Sequence, residues 1–171
     1  MKIDADAIRA ALRAPDGDRS LRRRRWLTAL AAAGLVDAGI MALYQMGVIR
    51  RLPDPPLPHF DSGAVIGSRA AYALGAPDAT LNVLQLAATM VLAGAGGTRA
   101  SGRSPWHGLI LGLTTLGGAV GAAAYLYNMI ARQKRGCVYC LPAEAISFAM
   151  LPLGLGELRE AVGALAARAK A

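Results

Sequence analysis

Cys137 and Cys140 are the only thiols of the 171-residue chain, and they form a C-x-x-C motif in the stretch RQKRGCVYCLPAE. This spacing suits a redox-active disulfide, half of a zinc site, or two small apolar residues packed in a helix. Lys134 and Arg135 precede the motif, and an apolar run follows it. Nearby basic side chains and a helix N-terminus would both favour a thiolate at Cys137. The pattern therefore favours redox chemistry.

Pro142 predicts where the helix that follows the motif begins. Proline is tolerated in the first turn of a helix and is costly beyond it, so the helix should begin between Val138 and Leu141. Cys137 would then be the exposed, reactive thiol at the helix start. Cys140 would lie one turn deeper and face the other helices.

A zinc site would need two further ligands, and the only histidines are His59 and His107. The topology derived below puts these two on opposite sides of a membrane, so no metal site is expected within one chain. The packing interpretation stays open, because free cysteine is commonly buried and inert.

Acidic and amide side chains could act beside the thiols. Glu144 follows Cys140 by four residues and Cys137 by seven, which places all three on one helix face. Glu144 could exchange protons in the redox chemistry of the thiols, or it could be an acid whose side chain reaches the membrane surface. Asp78 and Asn82, four residues apart, form a second polar patch at the expected level of the thiols.

Asp37 lies midway along a predicted membrane span, where an acid is costly and normally faces other helices. It could relay protons. It could instead hydrogen-bond to another helix, with Asn82, Gln85 and Thr115 as candidate partners.

The elements that position these residues are predicted to be membrane helices. The chain is 54% hydrophobic and only 18% charged, and windows of about 19 residues identify four stretches long enough to cross a bilayer. These spans are 26–49, 79–97, 106–131 and 138–156. They predict an all-α membrane protein, a four-transmembrane-helix bundle over 26–156, with an extracytoplasmic cap at 50–78 between the first two helices.

Two local patterns refine this bundle. Four prolines in RLPDPPLPHF exclude helix at the start of the cap and predict extended backbone. In the third span, Gly117 and Gly121 form a G-x-x-x-G motif, with Gly118 and Ala122 one step round, and this stripe of small residues predicts close packing between two helices.

The basic residues predict the orientation. With both termini in the cytoplasm, thirteen of the 19 Lys and Arg residues lie on the cytoplasmic side, as the positive-inside rule requires. The cytoplasmic parts are then a basic tail at 1–25, with a short amphipathic helix over 3–14, and an amphipathic tail at 157–171. The charge of +8 is explained by topology, and no nucleic-acid motif accompanies it.

The same orientation gives the predicted location. Sixteen Arg against three Lys in an Ala-rich chain indicate a bacterial protein of the cytoplasmic (inner) membrane. The C-x-x-C motif then faces the oxidising extracytoplasmic side, where a disulfide persists.

Three stretches resemble the vitamin K epoxide reductase family, and the resemblance covers 26–156. They are GLVDAGIMALYQ, GSRAAYALGAPDATLNVLQ and CVYCLPAEAIS. The resemblance implies that the C-x-x-C motif exchanges electrons with a quinone, ubiquinone or menaquinone, held among four helices. It also implies that Cys140 faces the quinone and that Cys137 exchanges disulfides with a thioredoxin-like or other extracytoplasmic thiol protein.

The resemblance also points to the quinone-binding residues. Asp78 and Glu144 stand where the family has a quinone-contacting asparagine and tyrosine, and Asn82 lies one turn beyond Asp78. These three residues are therefore the expected contacts of the quinone.

The chain departs from the family in one respect that affects function. It has no cysteine pair in the cap, and Ser62 stands where the second shuttle cysteine would be. An internal electron relay is therefore impossible. Two hypotheses follow: a membrane thiol:quinone oxidoreductase with a single C-x-x-C motif, or a non-catalytic membrane subunit of a larger complex that retains the fold.

Overall fold

The computed structural model describes residues 6, 9, 10, 13, 18–95 and 104–170. Four long helices pack against one another: α1 (Arg19–Gln45), α3 (Asp78–Gly94), α4 (Pro105–Tyr127) and α5 (Cys140–Ala169). A short helix, α2 (Ser62–Ile66), and a 3₁₀ turn (Arg69–Tyr72) lie between α1 and α3. A π-helix (Asn128–Gln133) extends α4. The described residues form no strand, and the prediction of an all-helical chain is confirmed.

Three of the helices are long and apolar enough to cross a membrane: α1, α4 with its π-helical extension, and α5. The chain is therefore a multi-pass membrane protein. Helix α3 is apolar but has 17 residues, which is roughly 26 Å of helix and the lower limit for a span. The second predicted span, 79–97, thus stays a prediction.

Helix boundaries differ from the predicted spans at the termini. Helix α1 begins at Arg19, seven residues before the predicted span, because the Asp18 side chain accepts a hydrogen bond from the Ser20 N–H at 2.9 Å and caps the helix. Helix α5 continues through the predicted tail to Ala169. The predicted amphipathic helix over 3–14 lies mostly outside the described residues.

Helices α4 and α5 approach each other closely at three glycines. A Cβ atom on Gly112 would collide with α5, one on Gly108 would lie 3.1 Å from the Glu157 carbonyl oxygen of α5, and one on Gly154 would collide with Thr115. By contrast, a Cβ atom on Gly117 or Gly121 would meet nothing within 4 Å. The prediction of close helix packing is therefore wrong for Gly117 and Gly121, because that face of α4 turns toward open space. It holds one step round, where a Cβ atom on Gly118 would lie 2.8 Å from the Gln85 side chain of α3.

The segment between α1 and α3 starts with an extended strap, which we define as residues 50–61. As its four prolines predict, the strap forms no helix. It lies across the loop before α5, where Phe60 forms an isolated parallel bridge with Gly136. The chain then passes through α2 and the 3₁₀ turn, and Gly75 (φ +77°) supplies the left-handed residue of the turn before α3. We call this side of the molecule the cysteine end.

Buried charges join the helices at the opposite end. The Arg23 guanidinium lies 3.0 Å from the Glu157 carboxylate and 2.6 Å from Glu160, and Ser20 donates a hydrogen bond to Glu157 at 2.9 Å. Arg24 donates to the carbonyl oxygens of Ala93 and Ala95, both at 3.1 Å, at the C-terminal end of α3. Helix α1 is thereby bonded to α5 and α3.

Candidate functional site

Cys137 and Cys140 are joined by a disulfide, with their Cα atoms 5.2 Å apart. Helix α5 begins at Cys140, within the predicted range, and Pro142 occupies its first turn. The Cys140 N–H at this helix start lies 3.0 Å from the Cys137 sulfur and donates to it. After reduction, the same N–H and the helix N-terminus would stabilise a thiolate on Cys137.

The structure contradicts the prediction that Cys137 is exposed, since its exposed fraction is 0%. The strap covers it from one side. Gly136 donates to the His59 carbonyl at 2.7 Å, and Asp61 N–H donates to the Gly136 carbonyl at 3.0 Å. The ring of Phe60 lies directly against Gly136, where a Cβ atom would not fit. This cover comes from a part of the chain about 76 residues away, so the local pattern around the motif could not indicate it.

Ser62 continues the cover beside Cys137. Its hydroxyl accepts a hydrogen bond from the Val138 N–H at 3.1 Å and donates to the Asp54 carboxylate. The Ser62 N–H donates to the other oxygen of Asp54 at 2.8 Å. Ser62 is fully buried and bonded to the residue next to Cys137. This is the position that the resemblance implied for a shuttle cysteine.

A cavity of about 470 Å³ lies on the other side of the disulfide. Cys140 lines it, whereas Cys137 does not. The predicted ligand contacts Asp78, Asn82 and Glu144 also line it, so the fold brings these four residues together. The rest of the lining is mostly apolar and includes Gly117 and Gly121. Because these glycines have no side chains, they contribute to the volume of the cavity.

Glu144 is 7% exposed and directed into the protein. The alternative of an acid that reaches the membrane surface is therefore wrong. Within residues 18–95 and 104–170, neither Glu144 nor Asp78 forms an ion pair. Their carboxyl groups face the cavity without a described basic partner, which leaves them able to interact with a bound molecule.

Sequence reasoning missed Tyr125, which lines the same cavity and interacts with the Asp78 carboxyl group and the Ser68 hydroxyl. The feature of the sequence that could have indicated this role is a tyrosine near the end of an apolar helix, one turn after Gly121. Asn128 also lines the cavity, from the first turn of the π-helix. π-Helical turns are frequent at functional sites, but no pattern in the sequence indicates this one.

Asp37 lies outside the cavity lining. One of its carboxylate oxygens, Oδ2, is buried without a hydrogen-bond partner among the described residues. Gln85 donates to Thr89 and to the Thr114 carbonyl, and Thr115 donates within its own helix. The predicted bond from Asp37 to Asn82, Gln85 or Thr115 is therefore not formed in the part of the chain that the structure describes, and its role as a proton relay stays a prediction.

Comparison with known proteins agrees with this geometry. A search of curated proteins found no match to the chain. The model of the vitamin K epoxide reductase family matches residues 25–155, which include all four long helices in whole or in part and the cysteine pair. That family carries out thiol and quinone redox chemistry in membranes. Since the match extends over well more than half of the sequence, this chain belongs to the vitamin K epoxide reductase family.

Proposed function

We propose that this protein is a membrane thiol:quinone oxidoreductase. It links disulfide formation in an extracytoplasmic thiol protein to reduction of a quinone, through Cys137 and Cys140. One observation carries the proposal: the two sulfurs of a single disulfide have different surroundings. Cys140 lines the cavity, and Cys137 lies outside the cavity lining and is fully buried beside the strap. Electrons that enter at one sulfur can therefore leave at the other.

The cavity fits a quinone. Its volume of about 470 Å³ lies within the usual range for small-molecule sites, and its apolar lining with a few polar groups suits a ring with two carbonyl oxygens and a polyprenyl tail. Asn82 can donate a hydrogen bond to a carbonyl oxygen, and so can Asp78 or Glu144 when protonated. Ubiquinone and menaquinone both have this chemistry.

The thiol step begins at Cys137. A thiolate of the partner attacks the Cys137 sulfur, the bond to Cys140 breaks, and Cys140 leaves as a thiolate. The second thiol of the partner then displaces Cys137, so the partner is oxidised to a disulfide and the C-x-x-C pair is reduced to a dithiol. Because Cys137 is fully buried, the strap has to move before this attack.

The quinone step takes place at Cys140. A quinone supplies an acceptor for two electrons and two protons, and becomes a quinol. Cys140 is the sulfur placed to donate the electrons, and Cys137 closes the disulfide again. Asp78 and Glu144 line the same cavity and can each hold a proton at its polar end.

The charge distribution supports the orientation of this reaction. Arg22 to Arg25 at the start of α1 favour a cytoplasmic N-terminus, and four spans, with α3 as the second, return the C-terminus to the same side. The cysteine end then faces outward, in the inner membrane of a bacterium. Partner thiols and an oxidising environment are found there.

Trapping tests the proposal directly. With Cys140→Ser, the Cys137 thiol cannot be released from a mixed disulfide by its neighbour, so a covalent adduct with a partner protein should accumulate in growing cells. The matched control is Cys137→Ser, whose remaining thiol faces the cavity and should give no adduct. Adducts absent from both variants, or equal in the two, would contradict the proposed thiol step.

A second function is favoured by a different observation. The chain has no relay cysteines, and the strap covers Cys137. Both features would hinder catalysis, but neither would harm a non-catalytic subunit that retained the fold. In that case the double variant Cys137→Ala, Cys140→Ala would keep the protein's cellular role, and deletion of the chain would destabilise a larger membrane complex. Loss of function in the double variant at normal abundance supports the oxidoreductase.

A further inference from the structure

We infer that Gln45 is a positioning residue for the proposed quinone site, because its side chain holds the Asp78 carboxyl group in one orientation. This inference rests on the proposed function and adds a residue that lies outside the cavity lining. Gln45 is the last residue of α1, and it reaches the first residue of α3.

One amide group joins three elements. The Gln45 Nε2 donates to the Asp78 Oδ1 at 2.6 Å and to the Ile66 carbonyl at 3.0 Å. Its Oε1 accepts from the Ala79 N–H at 3.2 Å. Helix α1, the end of α2 and the start of α3 therefore meet at this side chain.

The chemistry of these partners determines which way the amide faces. A backbone N–H can only donate and a carbonyl oxygen can only accept, so the Gln45 oxygen has to face Ala79 and the NH₂ group has to face Ile66. A flipped amide would place two donors together at Ala79 and two acceptors together at Ile66. The NH₂ group is thereby directed at Asp78 as well.

The orientation of Gln45 has a consequence for Asp78. Its Oδ1 accepts from Gln45, so a proton carried by this carboxyl group resides on Oδ2. Asp78 lines the cavity and interacts with Tyr125. Gln45 thus determines which oxygen of Asp78 can donate to a ligand, and it restrains rotation of the carboxyl group. Without this bond, the donor would be less well placed for a quinone carbonyl.

A pair of substitutions that exchanges donor and acceptor tests this role. Gln45→Glu keeps the shape and the acceptor for Ala79, but it presents an oxygen to Asp78. Asp78→Asn alone keeps the bond from Gln45, since the asparagine oxygen accepts it, and leaves the asparagine NH₂ group for the cavity. In the double variant the asparagine NH₂ group donates to the new carboxylate, so the asparagine carbonyl oxygen, which can only accept, faces the cavity. The bond to Ile66 is lost with or without Asp78→Asn, so a role through the backbone alone would not reverse the group that faces the ligand.

The measurement is quinol formation by the full-length protein in nanodiscs, with dithiothreitol as reductant and a short-chain ubiquinone as acceptor. We expect Gln45→Glu to raise the KM for the quinone roughly tenfold and to change kcat much less, since the hydrogen bond from Asp78 to the quinone carbonyl is lost in binding. Asp78→Asn should keep a KM near that of the wild type, and the double variant should have a KM about tenfold above that of Asp78→Asn. The inhibition constant of the quinol, which donates through its hydroxyl groups, should not rise in the double variant. An unchanged KM in Gln45→Glu, equal KM values in Asp78→Asn and the double variant, or a quinol inhibition constant that rises together with the quinone KM overturns the inference.

Failure of the proposed function would look different. In that case the wild-type protein and its Cys140→Ala variant would form quinol at the same rate. The rise in melting temperature produced by the short-chain ubiquinone then replaces KM as the measure of binding in the wild type, Gln45→Glu, Asp78→Asn and the double variant. A smaller rise in Gln45→Glu than in the wild type, and in the double variant than in Asp78→Asn, supports the positioning role. An equal rise in all four proteins, including an absence of any rise, overturns it.

Discussion

The two ends of the molecule use charged side chains in opposite ways. At the end opposite the cysteines, Glu157 is fully buried and bonded to Arg23 and Ser20, so the charges satisfy one another and hold helices together. At the cysteine end, Asp78 and Glu144 face a cavity without a basic partner among the described residues. Paired charges contribute to the fold, whereas charges directed at a cavity are available to a ligand.

The same contrast holds for the ion pairs themselves. The Arg23 and Glu157 side chains are 20% and 0% exposed, and the Arg135 and Asp61 side chains, which pair at the cysteine end, are 51% and 48% exposed. A buried carboxylate that loses its partner is costly, and an exposed pair contributes little. The two ends should therefore respond differently to substitution.

The largest effect on stability is expected for Glu157→Ala. This change removes one of the two carboxylates that pair with the Arg23 guanidinium and an acceptor of the buried Ser20 hydroxyl. Breaking a buried pair on one side typically costs about 3 kcal/mol or more. We expect a loss of that size in thermal unfolding of the protein in detergent, with the reaction rate per folded molecule nearly unchanged.

Glu144→Ala is the matched variant at the cysteine end. It removes a carboxyl group with no described ion-pair partner, so unfolding should change by less than about 1 kcal/mol while quinone reduction falls sharply. If Glu144→Ala lowered stability and Glu157→Ala lowered quinone reduction instead, the proposed difference between the two ends of the molecule would be wrong.

Two glycine stripes on α4 give a second, smaller contrast. A Cβ atom on Gly112 collides with Leu158 and Gly154, so Gly112→Ala should destabilise the protein by about 2 kcal/mol. Gly117 faces open space. Gly117→Ala should therefore leave unfolding unchanged or shift it upward by about 0.5 kcal/mol, because alanine favours helix. Thermal unfolding of both variants checks this, and equal destabilisation would contradict the assignment of the two faces.

The stripes show what sequence can and cannot predict here. Both Gly108 with Gly112 and Gly117 with Gly121 have the spacing G-x-x-x-G, and the spacing predicts only that small residues share a helix face. Whether another helix or a cavity lies opposite depends on how the helices pack. Local rules succeeded where the cause is local: Pro142 predicted the start of α5, and the helical period placed Cys140 and Glu144 together.

Long-range contacts account for the failures. Cys137 is buried because the strap, which includes Asp54, and Ser62 pack over this part of the chain. The residues next to the motif do not indicate this packing. The role of Gln45 depends likewise on Asp78, which lies 33 residues away. The prediction for Asp37 differs from the structure for another reason. It followed the rule that buried polar groups are hydrogen-bonded, and Oδ2 of Asp37 has no partner among the described residues.

The strap should control access to Cys137. Asp54→Ala tests this, with an expected rise of about tenfold in the rate at which Cys137 is modified. The change removes both bonds that Asp54 receives from Ser62, so strap opening becomes more favourable by roughly 1.4 kcal/mol or more. In the Cys140→Ser background, the rate at which a maleimide modifies Cys137 should rise about tenfold. In the Cys137→Ser background, modification of Cys140 through the cavity should not change. An unchanged rate at Cys137 would show that the strap is not the barrier.

The smallest effect is expected for Arg135→Gln, which removes the exposed pair with Asp61 on the strap. Such a pair contributes roughly 0.2–1 kcal/mol, so Cys137 modification should rise by about twofold, with no measurable change in unfolding. Salt separates this electrostatic effect from a change in packing. Because salt screens exposed charges, the rate in the Cys140→Ser background should rise between low and about 1 M salt, and Arg135→Gln should abolish that rise. If the salt dependence survives the substitution, other charges hold the strap, and the exposed pair at the cysteine end contributes nothing to its closure.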